Sequence, residues 1–449
     1  MSGKLSTRRD RPSELQPQVH RLGLTHKTRG MRLTDHWFTV PLNHSQPKGA
    51  QLEIFAREIS ASAHSPADVA ELPWLLYLQG GPGGRGNRPA SLNGWLKEAT
   101  ASFRVLMLDQ RGTGLSTPAT RQTLPSVGTA AAQAEYLSNF RADSIVADAE
   151  LIRGVLVGAP WTIFGQSFGG FCALTYLSFA PEGLREVLIT GGLAPLAGSP
   201  DRVYQATYAR VAARNAEYFA RYPEDRALTS RIFRHLANVT ENLPTGERLT
   251  PERFQMVGNF LGGNTRMDAL HYLLEDAFLS TADGWRLSDV FMAQVGSQVS
   301  RSSNPLYALL HESIYAQGGA TNWAAWRVLD QYPDFQPGGE APLLTGEMVY
   351  PWYFDQDPAL VPLADVAELL AARPAWPPLY DPTQLARNSV PVAAAVYLDD
   401  IYVDHDLSME TAAAVRGLQA WETADYHHDG ITEDGEEIFA RLLGMCRGL

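Results

Sequence analysis

Two cysteines, Cys172 and Cys446, are all that 449 residues contain. That scarcity excludes a disulfide framework and argues against a cysteine-built metal site. Long apolar runs are missing too. No stretch approaches the roughly 18 consecutive apolar residues that a membrane-spanning helix needs. The opening segment MSGKLSTRRDRPSELQPQVHRL carries charge but no apolar core, so no secretory signal is expected and a cytoplasmic location follows. Positive charge is also short. Lys and Arg number 37 against 49 Asp and Glu, a net charge of -12, which disfavours nucleic acid and anionic membrane as partners. Internal repeats and low-complexity segments are absent from the sequence.

What remains is an ordinary globular composition, 45% hydrophobic and 19% charged, on a chain too long for one compact core. Residues 1–30 read as a polar, partly disordered lead-in. DHWFTVPLNH and QLEIFAREI suit two antiparallel strands. From about residue 73 to 192 strand and helix alternate: LPWLLYLQ, SLNGWLKEA, FRVLMLD, then the helical spacing of DSIVADAELIRGVLVG with Asp143 or Ser144 as its cap. WTIFGQ, GGFCALTYLSFA and LREVLITGG follow. Such alternation specifies a mainly parallel sheet with helices on both faces. It stops near Pro195. A helix with Ser199 as N-cap and Pro200 at its first position opens a run of helical pieces. The alternation resumes at VPVAAAVYLDD. The expected division is therefore a catalytic α/β domain from residues 31–195 and 388–449, and a helical cap from 196–387.

Ser167 stands in G-x-S-x-G between a strand and a helix. A sharp strand–turn–helix of this kind exposes the hydroxyl and requires small neighbours, here Gly165, Gly169 and Gly170. The helix N-terminus beneath it favours developing negative charge. An α/β-hydrolase then supplies its acid and its base, in that order, after later strands. Asp399 and Asp400 follow VAAAVYL; His427 and His428 follow QAWETADY. The oxyanion needs two backbone N–H donors. Phe168, just after the nucleophile, offers one, and Gly80 or Gly81 in the turn QGGPGG offers the other.

GGPGG (Gly80 to Gly84), DQRGTGLS (Asp109 to Ser116) and GQSFGG (Gly165 to Gly170) together resemble the proline iminopeptidases, above all their longer members. The resemblance runs from about residue 35 onward, insertion included. It implies an α/β-hydrolase fold under a helical cap, with no cofactor and no metal. The implied activity is release of an N-terminal proline from peptides with a free N-terminus, through an acyl-enzyme. On that similarity Ser167 is the nucleophile, Asp400 the acid and His428 the base, with Gly81 and Phe168 holding the oxyanion. One departure is visible, Gln79 where the family often has His.

The family holds the substrate amine with cap glutamates. LLHESIYAQ resembles its glutamate-bearing helix, which makes Glu312 the first candidate, with Glu275, Asp276 and Glu347 behind it. Tyr315, Trp323 and Trp326 are candidates to line a slot for the proline ring. An esterase with the same triad, or a non-catalytic binding protein of the same fold, are the competing readings.

Overall fold

The structure, a computed structural model, describes residues 20–282, 284–339 and 341–448. Nine strands form one sheet: β1 (His20–Thr28), β2 (Met31–Pro41), β3 (Gln51–Ala61), β4 (Trp74–Leu78), β5 (Arg104–Leu108), β6 (Trp161–Gln166), β7 (Leu184–Thr190), β10 (Val392–Tyr397) and β11 (Leu418–Thr423). β8 (Phe278–Thr281) and β9 (Gly284–Leu287) pair separately. The order across the sheet is β1-β2-β3-β5-β4-β6-β7-β10-β11. The first three strands run antiparallel and join β5 antiparallel; the rest are parallel.

Side-chain alternation divides the core into two. Leu75, Tyr77, Val105, Met107, Ala393 and Ala395 point to one face. There they meet α1 (Gly94–Thr100) and the C-terminal helix Gly435–Arg447. Leu76, Leu78, Leu106, Leu108, Ala394 and Val396 point to the other face, toward α2 (Ala142–Leu156) and α3 (Phe168–Phe179). Successive residues of a strand face opposite ways, so a run that is apolar at every position must be buried on both sides.

Between β7 and β10 lie the pieces of the insertion. α4 (Pro200–Arg221) begins at the expected Ser199 and Pro200. Its buried face, Tyr204, Thr207, Tyr208, Val211, Asn215 and Tyr218, repeats at helical spacing. The segment PLYALLHESIYAQ is not one helix. α5 (Pro305–Leu310) ends before a separate 3-10 turn at Glu312–Ile314.

Three expectations need correction. Residues 20–28, read as lead-in, form β1; the lead-in's residues 1–19 lie outside the described residues. The strand is polar and mostly exposed, so it lacks the apolar alternation that marks a strand in sequence. The insertion, expected as a run of helical pieces, also holds the β8–β9 hairpin, which follows a helix ending at Glu275. The cap of α2 is Arg141, not Asp143 or Ser144. The Arg141 guanidinium is used elsewhere. It donates to the carbonyls of Ser313 (3.1 Å), Ala316 (2.8 Å) and Pro377 (2.7 Å), tying the start of α2 to the insertion. Hydrogen bonds from a charged group are worth about 1.5–3 kcal/mol each, and burial lowers the pKa of this arginine to about 10.

Candidate active site

Every chemically interesting loop leaves the same edge of the sheet. Parallel strands present their C-terminal ends together, and here those ends carry the glycine loop after β4, Ser167 after β6, Asp400 after β10 and His428 after β11. The turn at Ser167 is tight. A Cβ on Gly165 would stand 2.5 Å from the Gly169 carbonyl oxygen, and one on Gly169 would stand 1.9 Å from the Leu78 carbonyl oxygen, so neither position admits a side chain. Ser167 itself sits at φ 55°, ψ -124°, a conformation costly for a residue with a Cβ.

The structure brings three distant side chains into one chain of hydrogen bonds. His428 Nε2 lies 2.9 Å from Ser167 Oγ, and His428 Nδ1 lies 2.7 Å from Asp400 Oδ2. The other Asp400 oxygen accepts from the backbone N–H groups of Tyr402 (2.8 Å) and Val403 (3.1 Å). Asp400 is thereby fixed as an acceptor in a buried position. Burial works against protonated His428, but the Asp400 charge, its hydrogen bond, and then Glu347 and Asp429 outweigh it. The net pKa is raised above the ordinary imidazole value. The neighbouring alternatives are occupied otherwise. Asp399 is exposed and pairs with Arg210 at 3.2 Å. His427 is buried without a side-chain partner among the described residues, and burial, then Arg214, lowers its pKa.

The glycine loop abuts Ser167. A Cβ built on Gly80 would stand 3.0 Å from Ser167 Cβ. Phe168 begins α3, so its N–H is among those unpaired at a helix start. Gln79 reaches toward Gln166 at 3.5 Å, and Gln110 donates its side-chain amide to the Gln79 carbonyl at 2.9 Å.

Aromatic rings surround the triad. Tyr402 lies 4.6 Å from the His428 ring, centre to centre; Phe171 packs on Phe168 and on Tyr315. Trp323 and Trp326 lie elsewhere. Trp323 bonds Glu368 near the surface, and Trp326 joins Tyr350 and Trp352 around a separate cleft of about 260 Å³.

Two candidate carboxylates of the insertion, buried Glu312 and part-buried Glu347, differ in their surroundings. Glu312 accepts from the Ala325 N–H at 2.9 Å, and burial raises its pKa above the usual carboxylate value. Glu347 accepts from Tyr307 at 2.6 Å and lies 3.3 Å from His311 Nε2. Burial pushes Glu347 up as well, but His311, Tyr307 and His428 together bring it below the usual value. The neighbours of Glu347 therefore favour its charged form, while burial disfavours that of Glu312. Glu275 is mostly exposed and pairs with His271, and Asp276 is exposed. Glu347 belongs to the irregular segment after Gly346, which has no periodicity to single it out. Among the described residues no three His, Cys, Asp or Glu side chains gather to hold a metal ion, and no helix is long and apolar enough to cross a membrane.

Comparison with known proteins gives a concordant picture. Residues 73–254 match the model of the alpha/beta hydrolase fold. A proline iminopeptidase of Aeromonas sobria is 48% identical over 421 residues, covering 93% of this chain and 97% of that protein. A proline iminopeptidase of Aspergillus aculeatus is 37% identical over 431 residues, covering 94% and 95%. The solved proline iminopeptidase of Mycobacterium smegmatis superposes with a TM-score of 0.43 at 14% identity, over 92% of this chain and 98% of that one, too loosely for residue-level comparison.

Proposed function

We propose a function from one premise: this chain belongs to the proline iminopeptidase family, peptidases of the α/β-hydrolase fold. It is a serine exopeptidase that releases proline from the N-terminus of peptides. Residues 31–195 and 388–449, with β1 added at the edge, act as the catalytic domain, and 196–387 as the cap. Free Cys172 and Cys446 suit work in a reducing cytoplasm.

In the first half-reaction Ser167 Oγ attacks the carbonyl carbon of the N-terminal residue, and His428 Nε2 takes the hydroxyl proton. Asp400 keeps the remaining imidazole proton on Nδ1 and balances the imidazolium charge. The N–H groups of Phe168 and Gly81 receive the oxyanion. Such donors are each worth about 10²–10³ in turnover. The tetrahedral intermediate collapses, and the imidazolium gives its proton to the leaving amine. Water, deprotonated by His428, then attacks the acyl-enzyme ester and frees proline. The substrate ammonium meets Glu347 first, because His311, Tyr307 and His428 favour the charged form of that carboxylate, which attracts a cation, whereas burial disfavours the charged form of Glu312. Glu312, in the adjoining turn, is the second candidate. Phe168, Phe171, Tyr315 and Tyr402 supply an apolar surround for the ring.

The observation that carries this reading is the continuous Asp400–His428–Ser167 hydrogen bonding, with the part-buried Glu347 carboxylate in electrostatic reach of His428. Aminoacyl arylamides with each residue type at the N-terminus, assayed beside a short acyl ester, test it. Efficient turnover of the proline arylamide is expected. Turnover of the ester alone would mean an esterase, and turnover of neither would mean a non-catalytic binding protein.

A further inference from the structure

The glycine loop is held at both ends by the residues that follow β5. Gln110 donates to the Gln79 carbonyl at one end, and Asp109 accepts from the Gly86 N–H at 3.0 Å at the other. Its middle is held from the insertion. Asn304 Nδ2 donates to the Pro82 carbonyl at 3.1 Å. The opposite atom of the same amide, Oδ1, accepts from the Tyr307 N–H at 3.1 Å and caps α5. One amide side chain thus uses its donor on the loop and its acceptor on the helix, which fixes which way it points. The fit is close: a Cβ on Gly83 would stand 2.8 Å from Leu306 Cβ. One turn further along α5, Tyr307 donates to Glu347, and His311 follows directly after the helix.

We propose that Asn304 is a positioning residue that sets the oxyanion donors of the glycine loop from the cap. The element that meets the substrate amine then also fixes the loop that stabilises the oxyanion. Binding energy collected at the amine is conveyed to the reacting carbonyl, where it raises turnover and not affinity. The amine end of this inference rests on the peptidase reading; the tie between Asn304 and the loop does not.

Asn304→Asp and Asn304→Ser test it, since both side chains still cap a helix but neither repeats the donation to Pro82. Four readouts are needed: kcat and KM on a proline arylamide, the same on a short acyl ester, the rate of Ser167 labelling by a fluorophosphonate, and thermal melting. A misplacement of about 1 Å costs up to about 10²-fold. Both variants are therefore expected to lose roughly 10- to 100-fold in kcat on both substrates, with KM within about twofold, and to label more slowly by a similar factor. The acid limb of the pH profile should stay in place in Asn304→Ser, which adds no charge and leaves the triad untouched. A kcat within twofold of wild type in either variant overturns the proposal. So does a loss confined to KM, or a loss matched by collapse of the fold in both variants, which would make Asn304 only a helix cap. If the wild-type enzyme takes the ester and the label but not the proline arylamide, the peptidase reading fails, and the ester and label still judge Asn304.

Discussion

Tyr307 donates its hydroxyl hydrogen bond to Glu347 at 2.6 Å, and that carboxylate also lies within the electrostatic reach of His428. On the proposed reading, one carboxylate thus serves both the substrate amine and the general base His428. Glu347→Gln should therefore have two effects. Catalytic efficiency on a proline arylamide should fall by at least about 30-fold, since leaving a buried charge unpaired costs about 2–5 kcal/mol. Efficiency on a short acyl ester should change little. Glu312→Gln should have the smaller effect of the two; the reverse ranking would restore Glu312 as the main amine contact.

The pH profile of the same variant gives an independent check. The acid limb of kcat/KM reports protonation of the free enzyme's base. His428 titrates above its ordinary value, with Glu347 among the charges that hold it up. Removing that negative charge disfavours the imidazolium, so the limb should move to lower pH. An unmoved or upward-shifted limb would separate Glu347 from the triad.

Asp400→Asn should cut kcat by about 10⁴-fold, the scale for a triad acid whose amide replacement holds the wrong tautomer. Asp399→Asn should stay within about twofold, because that side chain is exposed and a surface ion pair contributes about 0–1 kcal/mol. His428→Ala and His427→Ala should separate in the same direction. Steady-state kinetics on the four variants decide the register.

Ser167 can be replaced in two instructive ways. Ala and Gly should both abolish turnover, by about 10⁴-fold or more. They should differ in stability. At φ 55° an alanine keeps the strain of the elbow and a glycine relieves it, a gain of about 1–3 kcal/mol reduced by glycine's extra freedom in the unfolded chain. The denaturation midpoint of Ser167→Gly should lie above that of Ser167→Ala.

Gly191 explains itself by contact. Its φ is +52°, and a Cβ there would stand 3.2 Å from His428 Nδ1 and 3.4 Å from Asp400 Oδ2. Gly191→Ala should lower both kcat and thermal stability, since the left-handed conformation alone costs roughly 1–2 kcal/mol. Full activity would mean that the triad tolerates a shift at this edge.

Much of this was legible in the sequence for a physical reason. Strands buried on both faces are apolar throughout, helices repeat at another period, and the nucleophile's turn needs small residues at fixed places. Choosing Asp400 over Asp399 was different. β10 ends at Tyr397, and the alternation of a strand says nothing about a turn beyond it. Family resemblance favoured Asp400, and the two backbone N–H groups on its carboxylate supply the physical reason. Glu347 and Asn304 were harder still. Both lie in irregular chain, and their partners come from elsewhere in the fold. The polar strand β1 shows the same limit, because its pairing with β2 rests on backbone hydrogen bonds that side-chain pattern does not report.

The insertion between β7 and β10 also bears on how the enzyme is made. Ser167 and His428 are 261 residues apart in the chain. At roughly 5–20 residues per second, the ribosome finishes the nucleophile about 10–50 s before the base. During that interval the half-built sheet lacks β10 and β11, so Asp400 and His428 are not yet in place. With the proposed triad, peptide-bond cleavage waits until the last strands dock. A peptidase with this topology is silent while nascent, its own synthesis serving as the delay that a removable pro-segment provides in other enzymes.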